Sequence, residues 1–204
     1  MITSFEASIE NEGSITVPAK AILNFAQYNS DKEVTLETTE GTQLKCTSDQ
    51  AKTVISGESA QEYPTISPIK KETSFSIEAY PLLEALHMTT FASAKNTLRP
   101  VLSGVYLRAE KGKLIFVTTD SYRLSEYQLG AEVGGPQISC VIPTKALEDL
   151  RGTVRAHNKP DQPEEVAREE DEKKKKDAPK VDFSLSAQQI EMKIGSTTLL
   201  SRLI

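Results

Sequence analysis

Apolar residues recur along this chain with two spacings, one typical of half-buried strands and one typical of amphipathic helices. Ile22 and Phe25 lie three residues apart, as do Leu147 and Leu150. Residues three apart share one face of a helix, so both segments predict a helix with one apolar side. A proline ends the β-branched run before each helix, and proline suits the first helical turn because an N–H there has no helical acceptor.

One strand–helix–three-strand unit occurs three times. The letters "ITVPAK" open the first copy at Ile15, "CVIPTK" opens the last at Cys140, and Pro81 opens the helix of the copy between them. The strand-like runs that follow the helices are residues 34–37, 43–47, 53–56, 102–108, 113–119, 122–129, 181–185, 189–194 and 198–204, separated by turn residues such as Gly41, Asp49 and Gly195. The pattern predicts an α+β fold in which helices pack on antiparallel sheets.

The repeats also predict two domains. Two units make a domain with paired helices over its sheets, and prolines with adjacent lysines at residues 63–71 suit a linker. We therefore expect residues 1–66 to be half of one domain and residues 67–204 to be most of the next. Residues 2–9 are interpreted as the last strand of an earlier unit, and the chain is expected to be a truncated fragment.

A charged segment at residues 151–180 interrupts the third unit. It contains four acids at residues 169–172, and each lies four residues before one of the lysines at residues 173–176. That order stabilises a helix by pairing opposite charges. A basic contact for DNA is one interpretation, and a solvated helix or disordered loop whose charges pair with each other is the favoured one.

Composition predicts an ordinary intracellular, cytoplasmic protein. Cys46 and Cys140 each lie in a strand-like run and are expected to be buried thiols. The net charge of −5 argues against a simple basic protein that coats DNA. His87 and His157 have no partners at metal-ligand spacing, and the chain has no glycine-rich phosphate loop. No catalytic residue, metal or cofactor is therefore expected.

Three segments resemble one known family. They are "FASAKNTLRPVLSG" at residues 91–104, "VTTDSYRL" at residues 117–124 and "SRLI" at residues 201–204. In order and spacing they resemble the bacterial DNA polymerase III beta subunit, the beta sliding clamp. The resemblance implies a clamp fold in which two chains of three domains close into a ring around DNA. It also implies a processivity factor for DNA replication, not an enzyme. This chain would lack the N-terminal half of domain 1, the end of domain 2 and domain 3.

The resemblance implies two kinds of site. A pocket for linear peptides of the polymerase catalytic subunit and the clamp loader would use Leu102, Thr119, Asp120, Ser121, Tyr122, Arg123 and Leu124. A DNA-facing surface would use Lys20, Lys95, Asn96 and Arg99, with Arg202 as a weaker addition. A tight turn at Asp120 and Ser121 would present backbone groups to a peptide and place Tyr122 and Leu124 on one strand face. From the residues alone, the favoured interpretation of the first set is a hairpin with two core residues, and that of the second set is ordinary solvated positions.

Two departures from the family affect these sites. Ser121 stands where the family often has glycine, so the turn is expected to be less permissive. Pro100 and Val101 stand where some clamps carry aromatic residues, which argues against stacking on DNA here.

Two other functions remain open at this point. One is a repeat-built protein-interaction module without a DNA role, which predicts no gathering of basic residues on the helices. The other is an enzyme whose site includes segments outside this chain, which predicts a closed pocket with convergent polar groups.

Overall fold

The computed structural model describes residues 1–39, 42–66, 68–95, 98–131, 138–157 and 179–204. The chain divides into two compact units. The large unit comprises Met1–Phe5 and Pro68–Ile204, and the small unit comprises Glu6–Ser67. Each unit is described by itself below.

The elements follow the repeating order that the sequence predicts. The helices are α1 (Ala19–Tyr28), α2 (Ala79–Thr90) and α3 (Thr144–His157), with short 3-10 turns at Ala60–Glu62 and Pro100–Ser103. The strands are β1 (Ile2–Thr3), β2 (Thr35–Thr39), β3 (Gln43–Thr47), β4 (Lys52–Ser56), β5 (Thr73–Glu78), β6 (Gly104–Glu110), β7 (Lys113–Thr119), β8 (Leu124–Gly130), β9 (Ser139–Pro143), β10 (Lys180–Leu185), β11 (Gln189–Ile194) and β12 (Thr197–Arg202).

The large unit consists of two similar halves that exchange their first strands. The first half runs β5–α2–β6–β7–β8 and the second runs β9–α3–β10–β11–β12. One sheet has the order β8–β7–β6–β9 and the other has the order β1–β12–β11–β10–β5, with every pair antiparallel. Each half therefore lends its first strand to the sheet of the other. This arrangement confirms the predicted α+β fold class.

The core of the large unit lies between the sheets and the two helices, which also pack against each other. Phe75 of β5 lies directly opposite Phe183 of β10, and their rings stack with centroids 5.0 Å apart. Offset stacking of this kind adds to the burial of both rings. The largest fully buried side chains are Phe116, Phe183, Leu82, Leu86, Leu107, Leu114, Ile142, Leu147, Leu150, Ile190, Met192 and Ile194.

The small unit repeats one such half. Thr16 makes an isolated antiparallel bridge with Glu58, α1 follows, and β2–β3–β4 form a three-stranded antiparallel sheet. Its core is small: among the described residues of this unit, the buried hydrophobic ones are Leu44, Cys46 and Ile55. None of the residues of α1 is buried.

Three sequence predictions need correction. α2 begins at Ala79, two residues before Pro81, because the first helical turn tolerates a residue without an N–H. Leu102 lies in a 3-10 turn that precedes β6 and does not lie in a strand. The strand expected over residues 2–9 is limited to Ile2–Thr3, which pairs with the β12 edge at Thr197 and Thr198, where backbone groups would otherwise lack partners.

The predicted insertion begins within a helix. α3 runs to His157, so residues 151–157 are its last two turns. The rest of the charged segment, residues 158–178, and the predicted turn at Gly41 lie outside the described residues. No helix in the described ranges is long and apolar enough to cross a membrane. Cys46 is fully buried and Cys140 is half-buried, and burial raises the pKa of both thiols, that of Cys140 to about 11.

The exchange of strands predicts where substitutions will destabilise the large unit. Leu107 lies at the centre of β6, between β7 and the exchanged strand β9, and is fully buried. Leu107→Ala should lower the free energy of unfolding by about 2–5 kcal/mol, because it removes buried methyl groups and leaves a cavity. Leu98→Ala is the matched control, since Leu98 is 87% exposed, and it should change stability little. Urea unfolding followed by circular dichroism measures both, and equal losses would contradict this description of the core.

Candidate functional site

Six of the seven predicted pocket residues run through one turn. Thr119 ends β7, Leu124 begins β8, and the four residues between them form the connection. Thr119 and Leu124 also face each other as the last pair of the β7–β8 ladder. The turn is therefore short and fixed at both ends by sheet hydrogen bonds.

The Asp120 carboxylate holds this turn in shape. Its Oδ1 accepts hydrogen bonds from the backbone N–H groups of Tyr122 and Arg123, both at 3.0 Å. Its Oδ2 accepts a hydrogen bond from Arg123 Nε at 3.0 Å. These donors favour the charged carboxylate, so the N–H of Tyr122, then that of Arg123, then the guanidinium lower the pKa of Asp120.

Ser121 occupies the left-handed region of the backbone map, with φ of 78°. That region is unfavourable for a residue with a Cβ and favours glycine. Thr119 offsets the cost locally, since its Oγ1 accepts from the Ser121 N–H at 3.2 Å and donates to the Arg123 carbonyl at 2.7 Å. The turn thus retains a glycine-like conformation although the residue is serine.

Arg123 joins the turn to the C-terminal end of α2. Its Nη2 donates to the Phe91 carbonyl oxygen at 3.2 Å, and its guanidinium carbon lies 5.5 Å from the centroid of the Phe91 ring. A cation over an aromatic face is attracted to it. A carboxylate, a helix-end carbonyl and a ring together hold the Arg123 side chain in one place.

Leu102 approaches the same helix end from the other direction. Its carbonyl accepts from the Ala94 N–H at 2.8 Å, and its own N–H donates to the Arg99 carbonyl at 3.0 Å. Thr118 adds a third tie, donating from Oγ1 to the Thr89 carbonyl at 2.7 Å. The structure therefore gathers Leu102 and the β7–β8 turn around the last residues of α2.

Apolar side chains are exposed around this turn. Tyr122 is 97% exposed and Leu124 is 66% exposed, and Phe91 and Met88 at the end of α2 are also exposed. We call Met88, Phe91, Tyr122, Arg123 and Leu124 the turn surface. The expected placement of Tyr122 and Leu124 on one strand face is wrong, because β8 begins only at Leu124.

Two grooves in the described residues lie away from the turn surface. One groove follows α1 and β4 of the small unit, and the other follows α3, β12 and Met1 of the large unit. Sequence reasoning did not include Met88 or Phe91 among the pocket residues. The position of Phe91 could have indicated its exposure. It follows the last residue of the helix, where the chain no longer continues the buried apolar face.

The predicted DNA-facing residues are distributed over both units. Lys20 is exposed in the first turn of α1 in the small unit. Lys95 and Arg99 are exposed on the segment that leads from α2 to the 3-10 turn of the large unit. Asn96 lies outside the described residues, and Arg202 is exposed at the end of β12.

Comparison with known proteins adds a family to this geometry. Residues 76–161 match the family model described as DNA polymerase III beta subunit, central domain. This segment begins in β5, and it contains α2, the turn surface and all of α3. The chain belongs to the DNA polymerase III beta subunit family.

Relatives extend the likeness beyond the matched domain. The "Beta sliding clamp" of Synechococcus elongatus is 31% identical over 156 residues, which is 74% of this chain and 41% of that protein. The "Beta sliding clamp" of Staphylococcus aureus is 25% identical over 197 residues, which is 97% of this chain and 47% of that protein. The chain spans about half the length of the curated relatives it matches.

A solved structure shares the fold of this beta subunit chain. The putative DNA polymerase III beta subunit from Eubacterium rectale superimposes with a TM-score of 0.81 at 23% identity, covering 99% of this chain and 50% of that one. The two chains therefore share one fold.

The ranking of hydrogen bonds around Asp120 gives a prediction for this clamp-family turn. Because the pKa of Asp120 is lower in the folded protein, its carboxylate stabilises the turn at pH values above the pKa that Asp120 has in the unfolded chain. This contribution is lost as the pH falls through the pKa of the folded state. Arg123→Ala should leave the pKa of Asp120 below its ordinary value, since the hydrogen bonds from the backbone N–H groups of Tyr122 and Arg123 are the two largest causes of the lowering and both remain. NMR titration of the Asp120 carboxyl group in the wild-type protein and in Arg123→Ala measures the two pKa values. A return of the pKa to the ordinary aspartate value in Arg123→Ala would refute the prediction.

Proposed function

We propose that this chain is part of a sliding clamp that encircles duplex DNA as a ring and tethers the replicative polymerase for processive replication. The observation that carries the proposal is the match of residues 76–161 to the central domain of the DNA polymerase III beta subunit. Curated relatives named beta sliding clamp support it. On this proposal residues 1–66 are the C-terminal half of the first clamp domain and residues 67–204 are most of the middle domain.

On this proposal the protein stays on DNA because its closed ring encircles the duplex, and it has no catalytic role or cofactor. Full-length chains pair into a homodimeric ring in the cytoplasm, and DNA passes through the ring without being read in sequence. The DNA polymerase III catalytic subunit and the clamp loader dock through linear peptide motifs.

Exposed cations support the DNA-facing part of the proposal. Lys20, Lys95 and Arg99 are exposed, and they form no ion pair within the described parts of the chain. Cations free of acidic partners can contact phosphates without reading bases. Few such contacts give weak, salt-sensitive binding, which suits a protein that must slide.

Retention on DNA tests the ring. The full-length protein, placed on DNA by its loader, should remain on nicked circles and leave linear DNA through the ends. Its retention on circles should resist salt, because a closed ring is linked to DNA and does not depend on affinity. Equal loss from circular and linear DNA would reject the clamp and favour an interaction module without a DNA role.

The residue-level arm of that experiment uses charge reversal. The measured quantity is the slope of the logarithm of DNA affinity against the logarithm of salt concentration, for protein that has not been loaded onto DNA. Lys95→Glu combined with Arg99→Glu should reduce the magnitude of this slope by about two, since each lost phosphate contact removes roughly one released counterion. Lys193→Glu on the exposed side of β11 is the matched control and should leave the slope unchanged.

The turn surface supports peptide docking. It combines exposed apolar side chains with a backbone that Asp120, Thr119 and Arg123 fix in place. A preformed surface loses little conformational freedom when a peptide binds, which favours affinity.

Truncation of the turn surface tests this part of the proposal. Tyr122→Ala or Leu124→Ala in the full-length protein should weaken binding of a polymerase-derived peptide by about 1 kcal/mol or more, as expected of anchor contacts. Tyr28→Ala is the control for Tyr122, because Tyr28 is also largely exposed but lies on α1. Isothermal titration calorimetry measures the affinities, and unchanged binding by both turn variants would reject the turn surface as the docking site.

A further inference from the structure

Two hydroxyl side chains interrupt the apolar inner face of the β7–β8 hairpin. Phe116 of β7 lies opposite Tyr127 of β8, and both pack in the core. The next row toward the turn pairs Thr118 with Ser125 on the same face, because side chains two residues apart on a strand share a side. We call Thr118 and Ser125 the polar pair. Thr118 is 2% exposed, so it occupies a place where an apolar side chain is expected.

Both members of the polar pair donate to the end of α2. Thr118 Oγ1 donates to the Thr89 carbonyl at 2.7 Å, and Ser125 Oγ donates to the Met88 carbonyl. The last carbonyl groups of a helix have no donor within the helix, so they need donors from elsewhere. The polar pair supplies two such donors, from the strands that lead into and out of the turn surface.

The second half of the large unit has an apolar residue at the corresponding row. There the buried row nearest the β11–β12 turn pairs Ile194 with Thr197. Ile194 is buried in the apolar core, and its side chain cannot donate to a carbonyl of α3. A helix can therefore pack on a hairpin of this fold when the strand before the turn carries no hydroxyl. The half with the polar pair is the half that carries the turn surface.

The end of α2 contributes two side chains to the turn surface. Met88 has a carbonyl that Ser125 holds and a side chain that is 48% exposed. Phe91 is 55% exposed and directly follows the last residue of α2. The other apolar members of the surface, Tyr122 and Leu124, belong to the hairpin. The polar pair therefore fixes the helix part of the turn surface relative to the hairpin part.

We infer that Thr118 and Ser125 are positioning residues for peptide docking. They act through Met88 and Phe91, which they hold beside the hairpin side chains that a peptide would contact. This role rests on the docking proposed above for the turn surface. A surface whose two parts are held together loses less conformational freedom on binding than one whose parts move separately, which favours affinity.

Removal of the two hydroxyls tests this role in the full-length protein. Thr118→Val keeps the shape of the side chain and removes its donor, and Ser125→Ala removes the second donor. The double variant should raise the dissociation constant of a polymerase-derived peptide about threefold to tenfold, roughly the cost of ordering one mobile side chain. Isothermal titration calorimetry measures the affinity, and circular dichroism checks the fold.

Thr90→Val is the matched control. Thr90 is also buried at the end of α2, and its hydroxyl donates to the Leu86 carbonyl within the helix. The substitution removes a buried hydroxyl but leaves both hydrogen bonds from the hairpin, so peptide affinity should stay at the wild-type value. Thr118→Ser combined with Ser125→Thr retains both donors and should also bind with wild-type affinity.

Hydrogen exchange separates local positioning from a loss of overall stability. The Ala94 N–H donates to the Leu102 carbonyl at 2.8 Å, just beyond the end of α2. In the double variant the Ala94 amide should exchange faster by a larger factor than the amide of Leu107, which lies in the centre of β6. Local opening changes exchange near the opened contact, whereas lower overall stability changes exchange in the core as well. Equal factors at the two amides would overturn the positioning role.

The affinities decide between the remaining outcomes. The positioning role is supported if the double variant binds more weakly while Thr90→Val and the variant with both donors bind as the wild type does. Wild-type affinity in the double variant, with Tyr122→Ala still weakened, would overturn the positioning role and leave the docking surface in place. Equal weakening by the double variant and Thr90→Val would overturn it as well. No binding by the wild-type protein would reject the docking surface and the positioning role together.

Discussion

The exchange of first strands between the two halves is the constraint on which the large unit depends. β5 completes the sheet of the second half and β9 completes the sheet of the first, so neither half closes its core alone. Ser74 and Ser184, whose hydroxyl oxygens lie 3.3 Å apart, are separated by 110 residues in sequence. Contacts this distant make folding slow compared with local helix pairing.

The same constraint positions the candidate site. α2 packs on β7 and β8, and its last turn is tied to them by Thr118 and Ser125, whose hydroxyls donate to the carbonyls of Thr89 and Met88. Arg123 adds its bond to Phe91 at the same end. The turn surface therefore rests on a helix and two strands whose relative position the buried core fixes. A turn in the left-handed conformation at Ser121 persists because its surroundings hold it on both sides.

Sequence reasoning reached the elements of this fold but not their partners. Alternating apolar residues at 43–47 and 189–194 give the bounds of β3 and β11 as observed, because sheet faces impose a period of two. No local pattern predicts that β5 pairs with β10, because the two strands belong to different halves of the large unit and their pairing depends on how the halves pack. Asp120 and Ser121 predicted a tight turn. The role of Phe91 beneath Arg123 could not be predicted, because their contact spans 32 residues.

The small unit shows by comparison how much burial the exchange adds in the large unit. Its helix and strands have the order and apolar positions of a large-unit half, yet none of the α1 residues is buried, and the described part of its core holds three buried side chains. Burial of apolar area is worth about 25 cal/mol per Å², so half-exposed Ile22, Phe25 and Leu36 forgo much of the stabilisation that Leu147, Leu150 and Phe183 gain. The local sequence is sufficient to form a helix over a three-stranded sheet. A closed core requires, in addition, a second half that donates a strand.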